Sequence, residues 1–257
     1  MAHTKFVLQS IPRSGAGMLM SALNGHPQCA MHGCPFNDYS EDLTVATAWK
    51  SLFDETTKVC EYADPAENTA SGFTSYRFPP AAAGGRSVRW ELTNSLWQYL
   101  TDKGADTAKV IRLHRKDAIA RAISEFFAIV TDIRAARLCT DALRLYKSNK
   151  LKPRAVPPYL FRALLDDWLL ERSLQYGRAE VLEVTYEQLE QDWSGSIATI
   201  QEYLGLPWSD LQPTLAKLGA PQPHTLVTNW EEIVLAFRNT GYEHLFVDYA
   251  IKCKEGR

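Results

Sequence analysis

The chain has 257 residues, 46% hydrophobic and 23% charged, which is ordinary for a globular protein in water. Its 28 basic and 30 acidic side chains leave a net charge of −2, which excludes the broad positive field of a general nucleic-acid or membrane-surface binder. Five cysteines (Cys29, Cys34, Cys60, Cys139 and Cys253) stand far apart with no CxxC pair, so neither a disulfide framework nor a zinc site is expected.

No run of about 20 apolar residues offers a membrane span. The first strand is reached by residue 5, which leaves no stretch for a signal peptide. A reduced, cytoplasmic protein is the expectation.

In chain order, residues 5–10 read as a buried strand and 17–24 as a helix closed by Gly25. The stretch 31–85 is the least regular, apart from a helical pattern at 42–53. Around "PAENTASGFTSYRFPPAAAGGR" its Gly, Pro and Ser content predicts loop, of the kind that forms lids and acceptor-recognition regions. Periodicity returns with a strand at 87–92, a helix at 94–103 and a strand at 108–114. Asp117 is placed to cap a helix running to Ala128.

Helices follow at 134–148 and 158–176, then a strand at 179–186 and helices near 196–204 and 230–249. Strands alternating with helices predict an α/β fold with a central parallel sheet flanked by helices. Without repeats or low-complexity segments, a single domain over 1–257 is expected, with 31–85 as its irregular region.

The segment "FVLQSIPRSGAGMLMSALNGHPQC" (6–29) runs from strand through a small-residue turn into helix. A helix N-terminus offers unpaired N–H groups and the positive end of its dipole, both suited to an anion. Gly15 and Gly17 permit close approach of the backbone, and Arg13 adds a planar cationic fork. The Walker A loop is not matched, since no lysine lies between Lys5 and Lys50. A dinucleotide fingerprint fails at its last glycine, and its ribose carboxylate would be Asp38 in a loop-like stretch. A plain strand-to-helix turn without ligand stays open.

A second element, "KVIRLHRKDAIARAISEFF" (109–127), puts Arg115 just past a strand's C-terminal end, where open α/β sheets bind ligands. Ser124 stands seven positions after Asp117, on the same helix face, so Arg115 and Ser124 could grip one phosphate. Equally open are an Arg115–Asp117 pair and a surface serine. Leu164, Leu165, Trp168, Leu169 and Leu174 recur at near-helical spacing and read as core. The basic run "KSNKLKPR" (147–154) reads as a solvated linker, or as an attractor for an anionic acceptor.

Together, "PRSGAGMLMSALNGHP" and "VIRLHRKDAIARAIS" resemble the two nucleotide-binding elements of sulfotransferases that use 3′-phosphoadenosine 5′-phosphosulfate (PAPS). "VTYEQLEQDWSGSIATIQEYLGL" (184–206) is similar to the family's Tyr-Glu-x-Leu segment and its following Leu-Gly-Leu. "LVTNWEEIVLAFRNTGYEHLF" (226–246) is similar to the C-terminal segment of the bacterial, carbohydrate-type branch. The resemblance implies a P-loop nucleotide-kinase-like fold with no metal in the site. It implies that Arg13, Ser14, Gly15, Ala16, Gly17 and Met18 hold the 5′-phosphosulfate, and that Arg115 and Ser124 hold the 3′-phosphate. The reaction implied is in-line sulfuryl transfer to a hydroxyl or amine of a carbohydrate or other small acceptor, leaving 3′-phosphoadenosine 5′-phosphate (PAP).

The chain departs from the family pattern in three places. Ala16 and Gly17 stand where relatives carry hydroxyls, so the loop depends on backbone N–H groups and Arg13. In His32-Gly33-Cys34-Pro35-Phe36, Cys34 stands where the branch often has the glutamate taken as general base. In "VRWELT" (88–93), Glu91 stands where a lysine is common. His32 and Glu91 are the candidate bases, with a turn histidine and a surface ion-pair partner as their plain readings. Rival functions are a PAP- or PAPS-binding protein with impaired catalysis, and a nucleotide kinase-like enzyme.

Overall fold

The computed structural model describes residues 4–32, 70–76, 108–131, 151–174, 180–214 and 227–246. The apolar run behind the phosphate-type turn forms β1 (Thr4–Ser10), and the turn opens α1 (Ala16–Leu23). Then come β2 (Cys29–His32), β3 (Ala70–Tyr76) and β4 (Ala108–His114). Next are α2 (Ala118–Thr131), a 3₁₀ turn (Pro153–Ala155) and α3 (Val156–Leu174). β5 (Glu180–Thr185) leads into α4 (Tyr186–Gln191) and α5 (Trp193–Leu204), and α6 (Trp230–Phe237) comes after them.

Five strands form one sheet in the order β2-β3-β1-β4-β5, with every pairing parallel. This is the α/β architecture expected from the alternation of strands and helices. The strand expected at 87–92 and the helices expected at 42–53, 94–103 and 134–148 lie outside the described residues.

Two strands were not expected. β3 lies inside the stretch read as loop, and it occupies the position between β2 and β1. Its glycine and serines are weak strand formers, but Gly72 has a steric reason: a Cβ there would come within 2.5 Å of the Phe6 ring. Pairing on both edges, rather than propensity, makes this segment a strand. β2 is a short buried run whose Met31 backbone N–H and C=O are taken by the Asn24 side-chain amide at 2.7 and 2.8 Å. Asn24 thereby ties the end of α1 to β2.

The chain divides into two compact units, Met1–Lys116 with Asp166–Thr214, and Asp117–Leu165 with Leu215–Arg257. The first holds the whole sheet. Phe6, Leu8, Ile111 and Leu113 from the strands pack with Leu19 and Leu23 of α1, Leu189 of α4, and Ile197, Ile200 and Leu204 of α5. In the second unit, Ile119, Ile123 and Phe127 of α2 pack with Val156 and Leu160, and with Trp230, Ile233 and Phe237. The helix expected at 230–249 is interrupted after Phe237, where Asn239 turns to φ 60° and the Thr240 hydroxyl donates to the Phe237 carbonyl at 2.6 Å, and helical backbone resumes at residues 243–246. Among the described residues no helix is long and apolar enough to cross a membrane.

Candidate functional site

β1 and β4 are neighbours, with Ser10 level with Leu113. The β1–α1 turn and Arg115 therefore emerge side by side at the C-terminal edge of the sheet, within the first unit. That edge is where parallel α/β sheets place ligands.

In the turn, Arg13 has φ 65° and Gly15 φ 91°. A left-handed arginine is uncommon and costs on the order of 1–2 kcal/mol, which is the kind of strain that collects at functional loops. Reversals of hand along a short backbone segment aim successive N–H groups inward as an anion nest. Gly15 caps α1 without a capping side-chain bond. The first bond within the helix runs from the Leu19 N–H to the Gly15 carbonyl at 3.1 Å. The N–H groups of Ala16, Gly17 and Met18 thus precede the helical ladder.

The side chains of the turn divide their work. Ser14 is fully buried and its hydroxyl donates to the Ile11 carbonyl at 2.6 Å, so it fixes the bend. Ala16, the first residue of α1, is buried in the core, while Gly17 and Met18 are partly exposed at the first turn.

Arg115 is half-buried, and its guanidinium lies over the Tyr186 ring, 4.4 Å from the centroid. Its Nε is buried with no hydrogen-bond partner among the described residues. A cation held against an aromatic face with an unanswered donor fits a bound phosphate oxygen.

Tyr186 is a site residue that the sequence reading placed only in a family segment, with no role. Burial pushes its phenol above the ordinary range, Arg115 and Arg13 oppose that shift, and Glu187 adds to it. The two arginines singled out from distant motifs therefore both act on one ring. A capping box fixes the start of α4 around it. The Thr185 hydroxyl accepts from the Gln188 N–H at 3.1 Å, and the Gln188 side chain accepts from the Thr185 N–H at 2.8 Å.

The same ring also limits the turn, because a Cβ on Gly15 would meet Tyr186 Cδ2 at 2.8 Å. Gly15→Ala is therefore expected to lose at least about 1–2 kcal/mol of stability from its φ alone, with a further loss from the displaced ring. Thermal unfolding measures this; an unchanged Tm would contradict the close packing.

The remaining expected residues are less gathered. Asp117 caps α2, accepting the Ala120 N–H at 2.8 Å, and Ser124 lies partly exposed on that helix in the second unit. His32 ends β2, level with Phe73 and so with Val7. That places its backbone two strands from β1, about 10 Å away, and four residues short of Ile11, about 13 Å along the strand direction. Glu91 and Cys34 lie outside the described residues. Among those described, no group of three or more His, Cys, Asp or Glu residues is arranged to hold a metal ion.

Among solved structures, a sulfotransferase from Alicyclobacillus acidocaldarius matches at 18% identity over 92% of each chain, with a TM-score of 0.49. A mouse sulfotransferase complexed with PAP matches at 16% identity, covering 95% of this chain and 84% of that one, with a TM-score of 0.47. Retinol dehydratase in a complex with retinol and PAP matches at 14% identity, covering 94% and 83%, with a TM-score of 0.40. No curated protein matches the chain in sequence. The model of the sulfotransferase family matches residues 6–210, which include the β1–α1 turn, Arg115 and Tyr186. The chain thus belongs to the sulfotransferase family, enzymes that move a sulfuryl group from PAPS to an acceptor.

Proposed function

We propose that this sulfotransferase binds PAPS with the β1–α1 turn around the 5′-phosphosulfate and Arg115 on the 3′-phosphate. It then passes the sulfuryl group to a hydroxyl of a carbohydrate or other small molecule. The observation that carries this reading is that one ring, Tyr186, stands against both Gly15 of the turn and the Arg115 guanidinium, on the sheet edge where the amides of α1 begin. PAPS supplies the group transferred. The chain supplies the rest: backbone N–H groups and Arg13 bind and orient the phosphosulfate, and their charge stabilises the leaving phosphate. For Ser124 the support is the resemblance of its segment alone. Membership of the family removes the nucleotide-kinase alternative.

The acceptor's proton needs a base, and His32 and Glu91 are the proposed candidates. The register of β2 sets His32 back from the turn and so favours Glu91. In a PAPS-dependent assay over a panel of sugars, phenols and amines, PAP release is expected with a hydroxylated acceptor. Glu91→Gln is expected to lower that turnover at least about 100-fold, the usual scale for a lost acid–base group, while PAP still binds. Retained turnover would remove Glu91 and leave His32→Ala as the deciding variant. PAP binding with no acceptor turned over would instead indicate a binding protein with impaired catalysis.

A further inference from the structure

Tyr186 touches both halves of the proposed nucleotide site without belonging to either motif. One edge of its ring, Cδ2 and Cε2, lies where a Gly15 side chain would have to go, at 2.8 and 3.3 Å. The face of the same ring carries the Arg115 guanidinium at 4.4 Å. A flat, nearly buried ring wedged this way fixes the separation between the turn and the arginine.

Its own placement is rigid. It is the first residue of α4, directly after β5, and the Thr185–Gln188 capping box closes around it. Its neighbour Glu187 accepts the Lys116 backbone N–H at 3.3 Å, which ties the turn carrying Arg115 to the same helix start.

We infer that Tyr186 is a positioning residue whose ring, not its hydroxyl, presents Arg115 to the 3′-phosphate and so sets the enzyme's preference for a 3′-phosphorylated adenosine nucleotide. This rests on the proposed role of Arg115. An arginine on an aromatic face keeps its charge while losing rotamer freedom, so it is preorganised for a planar, charge-assisted grip. Without the ring, the guanidinium is at liberty to turn toward solvent, and the gain from the 3′-phosphate falls. The 5′ side keeps its backbone amides and Arg13.

The test compares the affinity of the full chain for PAP with that for 5′-AMP, which differs by the 3′-phosphate alone. Wild type is expected to prefer PAP. Tyr186→Leu is expected to shrink that preference about tenfold, on the scale of a desolvated cation–π contact, and Tyr186→Phe to keep it within about twofold. A general loosening would weaken both ligands alike and leave their ratio unmoved, so an unchanged ratio in Tyr186→Leu overturns the inference. Equal losses in the Phe and Leu variants overturn it as well, since they assign the effect to the hydroxyl. Should Tyr186→Leu fail to fold, Tyr186→Met fills more of the space and reads the same ratio. A wild type with no preference for PAP would overturn the role of Arg115 itself, a result distinguishable from either of the others.

Discussion

Replacing Arg115 with alanine is expected to weaken PAP binding about 100-fold, and Arg13→Ala to do so by a comparable factor. Each removes charge-assisted hydrogen bonds worth roughly 1.5–3 kcal/mol apiece, and 100-fold corresponds to about 2.8 kcal/mol. The turn has little to compensate with. Ser14 spends its hydroxyl proton on the Ile11 carbonyl, and Ala16 and Gly17 bring no side-chain donor. The variants are expected to fold, because Arg13 and Arg115 lie at the sheet edge and neither is among the fully buried side chains. Calorimetric titration checks this. Losses under about threefold would mean that backbone amides alone carry the nucleotide.

Gly72→Ala is expected to be the most damaging small substitution in the sheet. Its new methyl would lie 2.5–2.6 Å from three carbons of the Phe6 ring. Phe6 is fully buried in the central strand, and β3 is paired to β2 and β1 on its two edges, so neither backbone has room to withdraw. Overpacking of this severity costs about 3 kcal/mol. For a chain of this size that lowers Tm by about 6–12 °C. The second substitution Phe6→Leu, made on top, is expected to recover part of the loss by vacating the ring's place. A Tm within about 2 °C of wild type would contradict the close approach of β3 to Phe6.

What the sequence disclosed follows from where the stabilising interactions lie. The β1–turn–α1 unit and the Leu113–Arg115–Asp117 junction were legible because their signals are local. They consist of an apolar run, small residues at a turn and a capping carboxylate, all within a few positions of one another. β3 was hidden for the opposite reason. Ala70–Tyr76 reads as loop by composition and becomes a strand through its neighbours, with Gly72 demanded by a phenylalanine 66 positions earlier in the chain.

Tyr186 was hidden likewise. Its contacts with Gly15 and Arg115 arise only when β5 pairs with β4 and α4 starts at the sheet edge. The end of α6 was overrun because the apolar spacing continues to Phe246, while the break depends on Asn239 adopting φ 60°. His32 was singled out for its chemistry, and the register of β2 is what sets it back from the turn.

The central claim is that the turn and Arg115 together form a site for a 3′-phosphorylated adenosine nucleotide. Calorimetric titration of the purified chain with PAP, against ATP plus magnesium, tests it most directly. The expected result is PAP binding at about micromolar affinity or tighter, with ATP–magnesium at least about 100-fold weaker, two powers of ten or roughly 2.8 kcal/mol. No binding of PAP, or a preference for ATP–magnesium, would contradict it.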